Sequence, residues 1–272
     1  MSVQDIPAID VHAHYGRYMN SSDAFRAGLM TGDLPLIQDR AKAANIRYTF
    51  VSPLQGLMPR FNADPITANR DAYNQIEHAE GVYQYVIVDP LKEETFTQAR
   101  EMVSSPKCVG IKIHPEEHGY SIREHGERLF SLAAELRTVL IGHSGEQNSL
   151  PADYVEIANE FPETPLIISH LGCGWDGDLT HQVRAIQRSK HGNVYTDTSS
   201  ASGITSGLLE WAVKEIGSEK ILFGTDSPLY FAPMQRARVN YAEISDNDKM
   251  RILYDNAFGI FKLRNGDVGC DG

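Results

Sequence analysis

Eight short apolar, β-branched runs recur along the chain with segments of helical period between them, and no other feature restricts the fold as tightly. They are "AIDVHAHY" from Ala8, "YTFVSPL" from Tyr48, "YQYVIVDP" from Tyr83, "CVGIKIHP" from Cys108, "TVLIGHSGE" from Thr138, "PLIISHLG" from Pro165, "NVYTDTSS" from Asn193 and "KILFGTDSP" from Lys220. Strands that alternate with helices are joined by crossovers, and crossovers make neighbouring strands parallel. Eight such units are what a closed barrel needs, so the expected fold is α/β, a (β/α)8 TIM barrel. The 272 residues suit one barrel, and 42 % of them are hydrophobic, enough for its core. Residues 1–272 are read as a single domain, with the polar stretch 263–272 expected to fray.

The clearest helical interval is "SGLLEWAVKEIG", where Leu208, Leu209, Ala212, Val213 and Ile216 recur near a 3.6 period and Gly217 stands where a helix would be capped. Two intervals read differently. Arg17 to Asp33 is expected to be a long loop with a short helix at most, and "PLQGLMPRFNADP" is a second long loop after the second strand. Both follow strands, so both belong on the face where barrel enzymes bind substrate. Helical pieces are expected from Pro233 to Leu263.

The strand ends carry an unusual polar set: His12 and His14 on the first, Lys112 and His114 on the fourth, His143 on the fifth, His170 on the sixth and Asp226 on the eighth. Residues two apart in a strand share a face. Alternation therefore puts Asp10, His12 and His14 on one face, with Ile9, Val11 and Ala13 on the other. It likewise groups Leu166, Ile168 and His170, and Leu222, Gly224 and Asp226. An isolated His-x-His is more often a hydrogen-bonded structural pair. Together with further histidines and an aspartate converging on one barrel mouth, it becomes costly to bury without a cation. Imidazole nitrogens and a carboxylate suit a divalent metal such as zinc, and three histidines with Asp226 would meet that need. Lys112 has two readings, an ammonium that binds a substrate anion or a carbamate bridging two metals. His78, His118, His125, His181 and His191 read as surface residues.

The formal net charge is −11, without a basic run, which argues against nucleic-acid binding. No apolar segment approaches a membrane span, and the N-terminus lacks a signal-peptide pattern. Cys108, Cys173 and Cys270 are odd in number and widely spaced, so neither a disulfide framework nor a thiolate zinc site is expected. These traits read as a cytoplasmic protein acting on a small molecule.

The motifs "DVHAH", "GIKIHP", "LIGHSG", "IISHLGCGW" and "ILFGTDSP", in this order, resemble the amidohydrolase superfamily. Within it they are most similar to the amidohydrolase-related (type 2) branch that includes the aminocarboxymuconate-semialdehyde decarboxylase-like enzymes. The resemblance implies a divalent metal, commonly zinc, held by His12, His14, His143 and Asp226, with His170 beside it as a catalytic group. One metal is implied, or two where Lys112 is a carbamate bridge. It also admits a homodimer, although no stretch reads as an interface. The expected reaction is hydrolysis of a small carboxylated amide, ester or lactone by metal-activated water, with Asp226 as proton carrier and His170 orienting the water or stabilising the oxyanion. Decarboxylation on the same cage is the alternative, and a catalytically silent binding barrel is a more distant one. Lys112, His114 and Arg60 are the expected substrate anchors, with Tyr15 and Arg17 as lesser candidates.

Overall fold

The computed structural model describes residues 3–263. The C-terminal tail and Cys270 of the sequence reading lie outside the described residues. Eight strands form one parallel sheet in sequential order: β1 (Ala8–Tyr15), β2 (Ile46–Pro53), β3 (Val82–Ile87), β4 (Cys108–Ile113), β5 (Val139–Gly142), β6 (Leu166–Ile168), β7 (Val194–Asp197) and β8 (Ile221–Leu222). The sheet closes from β8 back to β1: Val11 N donates to Phe223 O, Asp226 N to His12 O and His14 N to Ser227 O. The fold is a (β/α)8 TIM barrel. The helix Leu208–Ile216 stops at Gly217, whose φ of 81° is the left-handed backbone that a side chain resists. The first long loop carries one short helix, Ala24–Leu29. No described helix is long and apolar enough to cross a membrane.

The barrel interior has two parts. Its lower part is apolar: Ile9, Val11, Phe50, Tyr85, Ile141, Ile167 and Leu222, drawn from strands around the whole barrel, form one cluster that only the interior can join. Phe261, beyond the last helix, packs edge-on against Phe50 with ring centroids 4.8 Å apart and closes the floor.

Two of the alternation expectations fail. Ile9 and Val11 point inward, yet so do His12 and His14, because β1 contains an irregularity between Asp10 and Ala13: Asp10 pairs with Thr49 but Ala13 with Val51, three steps against two. Such a bulge reverses the facing of everything beyond it. The Asp10 side chain thereby points away from the histidine rings and accepts from His12 N (3.1 Å), Thr225 N (3.0 Å) and Thr225 Oγ1 (2.6 Å). On β6 the inward residue is Ile167, while Leu166 and Ile168 pack in an outer cluster under the helices. His170 enters the barrel because its own backbone turns left-handed, with φ 69°.

Candidate metal centre

Asp197, at the end of β7, is fully buried and organises the upper barrel. It accepts from His12 Nδ1 (2.9 Å), from the backbone N–H of His170 (3.0 Å) and Ser199 (3.0 Å), and from the Ser199 hydroxyl in a short bond. Burial alone would raise its pKa, but His12 and these donors hold it far below the carboxylate range. A carboxylate so held fixes the proton of His12 on Nδ1 and leaves Nε2 as a lone pair. His14 is set in the same way, since its Nδ1 donates to the Ser52 carbonyl at 3.0 Å.

Both Nε2 atoms, left without a proton of their own, then face one carboxylate oxygen. Asp226 Oδ1 lies 3.0 Å from His14 Nε2 and 3.6 Å from His12 Nε2. Burial would raise the Asp226 pKa, yet His14 and the other imidazoles around it keep it down at about 2. Three electron-rich atoms thus converge with no proton of their own to share, which is the donor chemistry of a divalent cation site. Asp226 reaches this place through a left-handed backbone, φ 55°. His12, His170 and Asp197 form a second compact group. Its atoms are already bonded to one another through Ser199, whose Oγ is 2.8 Å from His170 Nδ1, so it serves to orient the first group.

Lys112 is buried, with Nζ 2.8 Å from His12 Nε2. Burial lowers its pKa to about 8, against the pull of Asp226 and Asp197. Burial also lowers His12, to about 4, with the charge of Lys112 adding to the effect. His143 reaches the same space but is engaged elsewhere, its Nε2 2.7 Å from Glu146 Oε2 and its Nδ1 3.0 Å from His170 Nε2. His114 stacks on it, ring centroids 4.1 Å apart, and is driven well below the usual imidazole range by burial and the neighbouring His143.

These strand-end groups meet at the floor of a cavity of ≈ 220 Å³, which is also lined by Leu54, Leu57, Met58 and Leu229, packed together as one apolar cluster, and by Tyr18 and Tyr230. A larger hollow of ≈ 1000 Å³ at the other end of the barrel has no converging metal-capable set among its described lining residues.

Several expected residues lie apart from this floor. Tyr15, past the bulge, faces outward among Leu34, Ile37 and Val51, and Arg17 is exposed outside the cavity lining. Arg60 stands behind the lining, its guanidinium 3.0 Å from Glu117 Oε1 and 3.8 Å from Glu146 Oε1. His118, expected at the surface, is buried, with Nε2 donating to Gly56 O at 2.9 Å. The short helix Pro115–His118 tucks it under the second loop. Asp197, Ser199, Glu117 and Glu146 were not singled out in the sequence. Asp197 did carry a signal, because it ends its apolar run as Asp226 and the histidines end theirs.

A model of the family described as Amidohydrolase matches residues 9–263. No functionally curated protein matches the chain at a significant level. Among solved structures, a dihydroxybenzoic acid decarboxylase from a Polaromonas species, with bound manganese and the inhibitor 2-nitroresorcinol, superposes with a TM-score of 0.76 at 15% identity, covering 98% of this chain and 99% of its own. A 5-carboxyvanillate decarboxylase from Novosphingobium aromaticivorans, complexed with manganese, gives 0.72 at 14% identity, covering 96% and 97%. A putative amidohydrolase from Staphylococcus aureus gives 0.66 at 13% identity, covering 94% and 100%. At these identities the likeness is one of fold.

Proposed function

We propose, from the premise that this chain belongs to the amidohydrolase family, that it is a divalent-metal-dependent carboxy-lyase acting on a small, ring-bearing carboxylic acid. The observation that carries this reading is the convergence of His12 Nε2, His14 Nε2 and Asp226 Oδ1 beneath a cavity with one apolar wall. His12, His14 and Asp226 would hold the cation. His143 is the fourth ligand that the motifs imply, and taking that role means giving up its bond to Glu146 or to His170. The donor set has no thiolate, so it suits manganese, present in two of the similar structures, as well as the zinc that the motifs suggest.

A bound cation supplies Lewis-acid polarisation of substrate oxygens. The chain's own residues do the rest. Leu54, Leu57, Met58 and Leu229 pack a flat ring and exclude water from it, which favours release of uncharged carbon dioxide over attack by water. As the carbon–carbon bond breaks, its electron pair stays on the ring carbon. Asp226, which reaches the cavity, takes a proton from the substrate hydroxyl or from solvent and returns it to that carbon. His170, fixed by Ser199, borders the same space. Decarboxylation therefore takes precedence over the hydrolysis first expected, and the similar structures named as decarboxylases of carboxylated phenols support that order.

The test is a panel of hydroxylated benzoates and of lactones, offered to protein loaded with manganese or zinc. Carbon dioxide release that stops with a chelator, and is absent in the double variant His12→Ala, His14→Ala, is expected. Lactone or ester hydrolysis without carbon dioxide release would overturn the lyase reading and restore the hydrolytic one.

A further inference from the structure

Lys112 sits against the cation ligands in a way that neither of its sequence readings describes. Its Nζ donates to His12 Nε2 at 2.8 Å and, among the described residues, has no carboxylate within 4.0 Å. His12 has one lone pair to offer, since its Nδ1–H donates to Asp197 at 2.9 Å. That lone pair is the one aimed toward Asp226 Oδ1. A single imidazole lone pair cannot accept from an ammonium and bind a cation at once.

We infer that Lys112 and the divalent cation compete for His12 Nε2, so that the lysine caps the site until a cation displaces it into the cavity. The inference rests on the reading of His12, His14 and Asp226 as cation ligands. Its consequence is an order of binding. Lys112 is the one lysine or arginine among the described residues that line the cavity, and Arg60 is already paired with Glu117. Cation loading thus releases the ammonium that a substrate carboxylate needs, and the cation binds before the acid. A bridging carbamate would work in the opposite sense, because Lys112 would then add a ligand to the metal.

The full chain, stripped with a chelator, is titrated with zinc against a chromophoric competitor, as wild type and as Lys112→Met. Losing one charge-assisted hydrogen bond to the competing lysine should tighten zinc binding about tenfold in the variant. Unchanged or weaker binding in Lys112→Met overturns the inference while leaving the cation site standing. Failure of the wild type itself to bind zinc stoichiometrically overturns both. A measurement on the wild type covers a variant that does not fold: with ¹³C-labelled lysine, the Lys112 Cε resonance should move on addition of one equivalent of zinc. A stationary resonance overturns the competition.

Discussion

Below the bulge in β1 the barrel interior is held mainly by apolar and aromatic packing, with the Tyr85 hydroxyl donating to Val11 O at 2.9 Å, and above it by polar side chains bonded to one another. In the lower part Phe50, Tyr83 and Tyr85 meet edge to face, and Phe50 and Tyr85 also meet Phe261 from below. In the upper part Asp197, Ser199, His12 and His170 form a closed set of hydrogen bonds in which each group fixes the next. Apolar packing is tolerant of chemistry and sensitive to volume. A buried polar set behaves in the reverse way, since one missing partner leaves a buried charge or donor uncompensated. The two halves should therefore fail differently, stability below and chemistry above.

The largest effect expected is on turnover. Asp226→Asn preserves shape but removes the carboxylate proposed to carry the proton, and should lower kcat by about a thousandfold with little change in Tm. Equal losses of activity and Tm would erase the division. Phe50→Ala, in the lower half, should cost about 3–5 kcal/mol of stability while the folded fraction keeps its cation affinity, as read by denaturant melts and zinc titration. If affinity falls in step with stability, the halves are coupled more tightly than their contacts indicate.

Asp197→Asn tests the upper half from behind. It keeps the volume but no longer fixes the His12 proton on Nδ1, and should weaken cation binding about 10–100-fold. Unaltered affinity would show that His12 is oriented without it. The smallest effect lies outside the barrel, at the Arg238–Glu210 pair, 2.7 Å apart. Burial would raise the Glu210 pKa, but the Arg238 bond holds it down at about 2, against an ordinary 4.5. A depressed carboxylate stabilises fully above its unfolded pKa and loses that contribution as pH falls through its folded one. Glu210→Gln should therefore cost about 1 kcal/mol near neutrality, and the gap to wild type should close between pH 4.5 and pH 2. A gap that persists at pH 2 would assign the loss to packing.

Legibility followed regularity. Lys112 lies on β4 and Gly142, just before His143, ends β5, and these strands pair in unbroken register from Gly110–Val139 to Ile113–Gly142. Simple alternation places their polar ends correctly. His12 and His170 are inside for reasons that alternation does not contain, a bulge in one case and a left-handed backbone in the other. Arg60 looked like a free anchor because its partners, Glu117 in the short helix after β4 and Glu146 in the loop after β5, lie far along the chain. Tyr15 adjoins His14 in sequence but faces the opposite side of the sheet.

The order of apolar runs and helical intervals, by itself, determined an eight-stranded parallel barrel and the polar character of its mouth. Those patterns are local, set by periods of two and 3.6 residues that any short window reveals. Only the tertiary structure decided which polar ends share a point in space. The bulge in β1 lies where its backbone bonds across to Phe223 and, through Asp10, to Thr225. Those contacts exist only once the last strand has closed on the first. The meeting of His12, His14 and Asp226, with Lys112 against it, is a property of closure, which no window of sequence contains.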